Sequence, residues 1–190
     1  MPTVAVNVWA ATSYAVVSMK ASIKVTFAGI ITAIVCVIML ASHIPNITLA
    51  VPAVAGVMLI SVFAEAGIYW ALLCYAASSV MSFFTADKTS WFLFFVFFGY
   101  YPILKTVFEK IAKSVFKWTA KGFTFNTAAV ICYFSGSLIT GVKITGWWLV
   151  LYFALGNIAF VLYDIALSRL AAVYYTRLHG KISSILNKGQ

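Results

Sequence analysis

The sequence predicts an all-α fold, a polytopic membrane bundle of six transmembrane helices with a cytoplasmic interfacial amphipathic helix. Three observations predict it. Hydrophobic residues make up 64% of the 190, charged residues only 9%, and mean hydropathy is +1.02, which leaves too little polar surface to cover a water-soluble globule of this size. The apolar residues run in uncharged stretches, and a spanning helix needs about 20 of them. The 13 Lys and Arg residues gather at the ends of those stretches and not inside them.

The windows, free of charge save for Asp164 in the last, run from Val25 to Ile44, Ile47 to Ala64, Ala66 to Ala86, Thr89 to Leu104, Phe123 to Val142 and Thr145 to Leu167. The fourth is short, which places its Tyr100-Tyr101 end at the membrane interface. Such continuous runs do not match the ~10-residue alternating segments of a transmembrane β-barrel. Ahead of them, residues 1–21 read as an N-terminal interfacial segment. Val4, Val6, Val8, Trp9, Tyr14, Val16 and Val17 are apolar, but Asn7, Thr12, Ser13 and Ser18 interrupt them, and no basic residue precedes them as a signal peptide requires. A seventh span over residues 3–19 is the alternative. The membrane domain then covers 22–170, and 171–190 form a basic cytoplasmic tail.

Orientation follows from the basic residues flanking each span. One side holds Lys20, Lys24, Lys105, Lys110, Lys113, Lys117, Lys121, Arg169, Arg177, Lys181 and Lys188; the other holds Lys88 and Lys143. A split of 11 against 2 among the 13 basic residues puts both termini in the cytoplasm of a multi-pass cell-membrane protein. It also accounts for the net charge of +9 without nucleic acid as a partner.

The densest basic segment, 103–121, reads as a helix surface. Leu104, Val107, Phe108, Ile111, Val115 and Trp118 recur at three- and four-residue spacing, while Glu109, Lys110, Lys113, Lys117 and Lys121 take the other face. Laid flat at the cytoplasmic interface, its lysines meet anionic head groups of membrane lipids at about 1 kcal/mol each. The same face, with Lys110, Lys113 and Lys117, is the candidate docking surface for a partner protein.

The four acids fall at span ends: Glu65 in the Ala64-Glu65-Ala66-Gly67 turn, Asp87 in an outer turn, Glu109, and Asp164 near the inner end of the last window. The spacing pairs Asp164 with Arg169 or with a lysine of 105–121, and Glu109 with Lys105 and Lys113. With no ionisable residue expected at mid-depth, a proton relay is disfavoured. Nor does the chain read as an enzyme. His43 and His179 lack a metal-ligand partner at helical spacing, and no nucleophile elbow, carboxylate pair or phosphate-binding glycine loop is present. Cys36, Cys74 and Cys132 each fall within a different window and read as small apolar residues. No metal and no cofactor is expected.

The polar interior is uncharged. Asn126 and Asn157, with Ser137 and neighbouring hydroxyls, either join helices or line a pocket for a small neutral ligand. Trp91, Trp147, Trp148 and Tyr152 form an aromatic belt, or a stacking surface if they turn inward. The outer loop Ser42-His43-Ile44-Pro45-Asn46-Ile47 caps a cavity opening outward. In the first span, Ala28, Gly29, Thr32 and Ala33 make a small-residue face that admits close approach of another helix.

These features together resemble the S components, the substrate-binding membrane subunits of energy-coupling factor transporters. They are six spans, the small-residue first span, the proline-containing outer loop followed by Leu49-Ala50-Val51-Pro52-Ala53-Val54-Ala55-Gly56, and the Glu65-Ala66-Gly67 turn. The similarity covers roughly residues 22–170, and the stretch Gly99-Tyr100-Tyr101-Pro102-Ile103-Leu104-Lys105 is similar to bacterial membrane proteins of that fold more than to any vitamin-specific member. The resemblance implies a vitamin-like small-molecule ligand bound from outside by His43, Asn46, Trp91, Asn126, Ser137, Trp148, Tyr152 and Asn157. It also implies a transmembrane scaffold subunit, coupled to ATPases, at Ala28, Gly29, Thr32 and Ala33. The usual alanine-x-x-x-alanine pattern is altered here, since Thr32 follows Ala28 at the fourth position. The alternative function is a non-transporting membrane scaffold or assembly protein that recruits a cytoplasmic partner through the 103–121 helix.

Overall fold

In the computed structural model, which describes residues 20–109, 114–140, 145–174 and 176, every regular element is helical. Short connections join six long helices. They are α1 (Ala21–Leu40, closing in a 3-10 turn over Ala41–His43), α2 (Ala50–Ala66), α3 (Ile68–Thr85), α4 (Lys88–Phe108), α5 (Ser114–Thr140) and α6 (Trp147–Val173). Four of them, Ala21–His43, α3, α4 and α6, are long and apolar enough to cross a membrane, and α2 is a shorter apolar helix of 17 residues. Their outward faces carry large apolar side chains: Tyr69 is 81% exposed, Phe84 77% and Val37 66%. Such a surface fits solvation by lipid, since water-soluble chains do not expose apolar area on this scale.

Local chemistry explains where the helices stop. Gly67 adopts φ 96°, a left-handed conformation open to glycine, and its N–H caps the carbonyls of Val62 and Phe63. The chain thereby turns from α2 into α3 with almost no loop. At the start of α4, the Asp87 carboxylate accepts from the N–H groups of Thr89 (3.0 Å) and Ser90 (3.3 Å), an N-cap of the usual kind. The Asp87 N–H in turn donates to Ser42 Oγ (2.9 Å), and Ser90 Oγ donates to the Thr48 carbonyl (2.8 Å). These two bonds tie the α3–α4 turn to the α1–α2 connection.

One core cluster lies among α1, α2 and α3, around Val35, Met39, Leu59 and Ala71. A second, around Phe97, Tyr101, Phe160 and Leu167, joins α4 to α5 and α6. Between the clusters α4 widens into a π-helical turn over Phe94–Phe98, a distortion that releases carbonyls from the regular ladder. Tyr75 of α3 takes up one of them, donating to the Phe95 carbonyl at 2.7 Å. On the other side Gly56 of α2 lies against the same turn. A Cβ there would come within 2.1 Å of the Phe98 carbonyl oxygen, so the α2–α4 contact requires glycine.

The expected interfacial helix over 103–121 includes residues 110–113, which lie outside the described residues; before them α4 runs to Phe108, and after them α5 is described from Ser114. Lys121, expected on the polar face, is 2% exposed, and Lys105 is 0% exposed; both reach Asp164 of α6. Lys110 and Lys113 lie outside the described residues, as do the 1–19 segment and the tail from 177 onward.

Candidate functional site

Lys105 sits one turn after Tyr101 on α4, and both face α6. Its ammonium donates to Asp164 Oδ1 at 2.5 Å, to the Asp164 carbonyl, and to Ser168 Oγ at 2.8 Å. Tyr101 adds a fourth bond to α6, its hydroxyl donating to Asp164 Oδ1 at 2.6 Å. From α5, Lys121 bridges the two acids, donating to Asp164 Oδ2 (3.0 Å) and Glu109 Oε1 (2.6 Å). Lys117 completes the set on Glu109 Oε2 at 2.9 Å. Three ammoniums and two carboxylates thus form one continuous network where α4, α5 and α6 meet.

Its Asp164 end is buried, with side-chain exposures of 5% or less. Phe97 and Phe160 pack on Tyr101 with ring centroids 4.7 and 5.3 Å away, and Phe125 stacks on Phe160 at 4.7 Å. This aromatic layer roofs the charges on the side toward the bundle centre, and in so low a dielectric each pairing is stronger than it would be in water. Glu109 lies beyond the end of α4. Burial by itself would raise its carboxyl, but the bonds from Lys121 and Lys117 prevail and hold it below the usual carboxylate value.

α6 continues past Leu167 to Val173, so Asp164 lies about two and a half turns inside the helix. A buried charge is costly unless paired, and here it is paired twice. Its partners are lysines of the 105–121 segment, one of the two expected alternatives; Arg169 is not among them. Glu109 bonds Lys117 and Lys121; of its expected partners, Lys105 goes to Asp164 and Lys113 lies outside the described residues.

The predicted ligand residues are brought together only in part. Asn126 and Asn157 form a reciprocal amide pair between α5 and α6, each Nδ2 donating to the other's Oδ1 at 3.2 Å. Close by in sequence, the Tyr152 hydroxyl donates to the Ala129 carbonyl at 3.1 Å. Trp91 is half-buried against α3, its indole N–H donating to the Ser79 carbonyl (2.9 Å). His43 and Asn46 are exposed in the α1–α2 connection, Trp148 is 68% exposed, and Ser137 is half-buried on α5.

Sequence reasoning allowed a lysine of 105–121 on Asp164 without saying which, and it missed Tyr101 and Ser168. A usable signal existed: Tyr101 with Lys105, and Asp164 with Ser168, are each four residues apart, so each pair shares one helix face. The network has no nucleophile–base pair, and among the described residues no group of three His, Cys, Asp or Glu side chains could hold a metal ion. What it can do is fix the relative position of three helices. Comparison with protein-family models, curated proteins and solved structures gives no match to this chain.

Proposed function

We propose that this chain is a membrane-embedded subunit that binds a small, vitamin-like molecule for uptake, an S-component-like bundle of six spans with both termini cytoplasmic. The observation that carries this reading is the division of α1 into two faces. Ala28, Ile31, Val35 and Met39 are buried in the bundle, and Cys74 Sγ of α3 donates to the Ala28 carbonyl at 3.4 Å. Thr32 is half-buried and spends its hydroxyl on the same carbonyl at 2.9 Å. Gly29 and Ala33, four residues apart, are exposed, and the space around Gly29 is open to 4 Å.

Of the four small residues, two therefore serve the bundle and two face outward. Gly29-x-x-x-Ala33 is a small-residue pair that lets a partner helix approach backbone to backbone. This restores the spacing that the Ala28–Thr32 register lacks. The ligand side would be the end carrying His43, Asn46, Ser137, Trp148 and Tyr152, opposite the Lys105–Asp164 network, which would brace the inner ends of α4 to α6. Energy would come from partner ATPases, so this chain needs no catalysis of its own.

The test is capture of the tagged chain in mild detergent, with a thermal-shift panel of vitamins and metal ions. A transmembrane scaffold and ATPases should co-purify with the wild type and be lost from Gly29→Leu/Ala33→Leu. Failure to capture either subunit, with no shift by any ligand, sinks the reading. Capture of a soluble protein alone would favour the scaffold alternative.

A further inference from the structure

An apolar cleft of about 320 Å3 opens between α1, α2 and α6, at the end where α1 begins and α6 ends. Its walls are Phe27 and Ile31, Met58 and Ile60, and Leu170 and Val173. The polar side chains at its edge are already engaged. Ser61 Oγ donates to the Met58 carbonyl (2.7 Å), and the Tyr174 hydroxyl donates to Glu65 Oε1 (2.9 Å). A polar solute would lose its water for little return there, whereas an alkyl chain would supply the dispersion contacts that the walls lack. Leu170 and Val173 are 49% and 50% exposed, so the cleft is open sideways, toward lipid.

Basic residues outside the cleft's walls, placed near it by their spacing along α1 and α6, narrow the occupant. Lys24 lies one helical turn before Phe27 and seven residues before Ile31, which puts it on the cleft's face of α1. Arg169 adjoins Leu170 and sits four residues before Val173. Asp164 and Glu109 are spent on Lys105, Lys117 and Lys121, and neither Lys24 nor Arg169 forms an ion pair among the described residues. We propose that the cleft binds one anionic phospholipid, with an acyl chain against Phe27, Ile31 and Leu170 and its phosphate at Lys24 and Arg169. A partner helix fits less well. Close helix contact needs small residues, and these walls are bulky, while Gly29 and Ala33 lie on a different face of α1. The lipid site is independent of the uptake reading, because it uses neither the small-residue face nor the ligand end.

The experiment places the full chain in bilayer discs of equal phosphatidylglycerol and phosphatidylcholine, extracts it into mild detergent, and reads the retained lipid by native mass spectrometry. One phosphatidylglycerol per chain is expected. Each basic group near an anionic head group contributes a factor of about five, so Lys24→Gln/Arg169→Gln should lower the preference for phosphatidylglycerol roughly 25-fold. Met58→Trp, which fills the cleft, should lose both lipids. The charge variant carries the test if Met58→Trp does not fold, since neither charge has an ion-pair partner to lose among the described residues. Equal retention of the two lipids by the wild type, or a preference unchanged in the charge variant, overturns the proposal. So does a photo-crosslinker at position 58 that captures a polypeptide in place of lipid.

Discussion

The ammonium of Lys105 and the carboxylate of Asp164 lie 2.5 Å apart with side chains 0% and 5% exposed. One is on α4 and the other on α6, and Lys121 of α5 shares the same carboxylate. Asp164→Asn would leave two buried ammoniums facing a neutral amide. Removing one member of a buried pair costs about 3–5 kcal/mol, so this variant should lose a large part of its thermal stability in detergent. Lys105→Met should cost a similar amount. The double variant Lys105→Met/Asp164→Leu should cost clearly less than the sum, because residues in one network couple. Additive losses in the unfolding midpoints would show that the pair is incidental.

The Glu109 carboxyl is held below the usual carboxylate value by Lys121 and Lys117, against the opposing effect of burial. Its folded form therefore binds protons less readily than the unfolded chain does. The sign follows: this contribution to stability is full above the ordinary carboxylate range, near pH ~4.3, and is lost as pH falls through the depressed folded value. Unfolding midpoints should decline in acid for the wild type, while Glu109→Gln starts lower and shows a flatter acid limb. Parallel acid limbs would contradict this assignment.

Gly56 and Gly29 look alike in the sequence, both glycines within apolar helices, and should respond oppositely to alanine. At Gly56 the new methyl meets the Phe98 carbonyl oxygen at 2.1 Å, whereas at Gly29 nothing lies within 4 Å. Gly56→Ala should cost about 1–3 kcal/mol through overpacking against backbone. Gly29→Ala should be neutral or stabilising by up to ~1 kcal/mol, since alanine is the better helix former. Thermal melts of the two single variants side by side decide the matter.

That contrast shows how far the sequence could be read. Among the described residues the order of the long helices was legible because apolar runs are a one-dimensional signal, and each of the expected windows falls within or along an observed helix. The charged site was not. The final window stopped at Leu167, ahead of Arg169, while α6 runs on to Val173 and so encloses Asp164 within the helix. Likewise the three- and four-residue spacing of 103–121 showed two faces but not which neighbour each face would meet. Lys105 and Lys121 look like solvated lysines until Asp164 arrives from α6. Asn126 and Asn157 were legible as interior amides, but their reciprocal pairing depends on the register of α5 against α6, and no local pattern encodes that register.

The Asn126–Asn157 pair separates the two roles left open for it. Each amide also donates to its own helix, to the Gly122 and Phe153 carbonyls at 2.8 Å, so the cross-helix bonds are the part that substitution tests. A hydrogen bond between membrane helices is worth ~0.6 kcal/mol on average. Asn126→Ala and Asn157→Ala should each destabilise by about that much or somewhat more, since each leaves the other amide without its partner. The double variant should then cost little beyond either single one, giving a coupling of the order of 0.6 kcal/mol in a double-mutant cycle. Strictly additive losses would mean that the amides act separately in stabilising the bundle. Unchanged stability together with loss of a ligand's thermal shift would move them from helix joint to binding site.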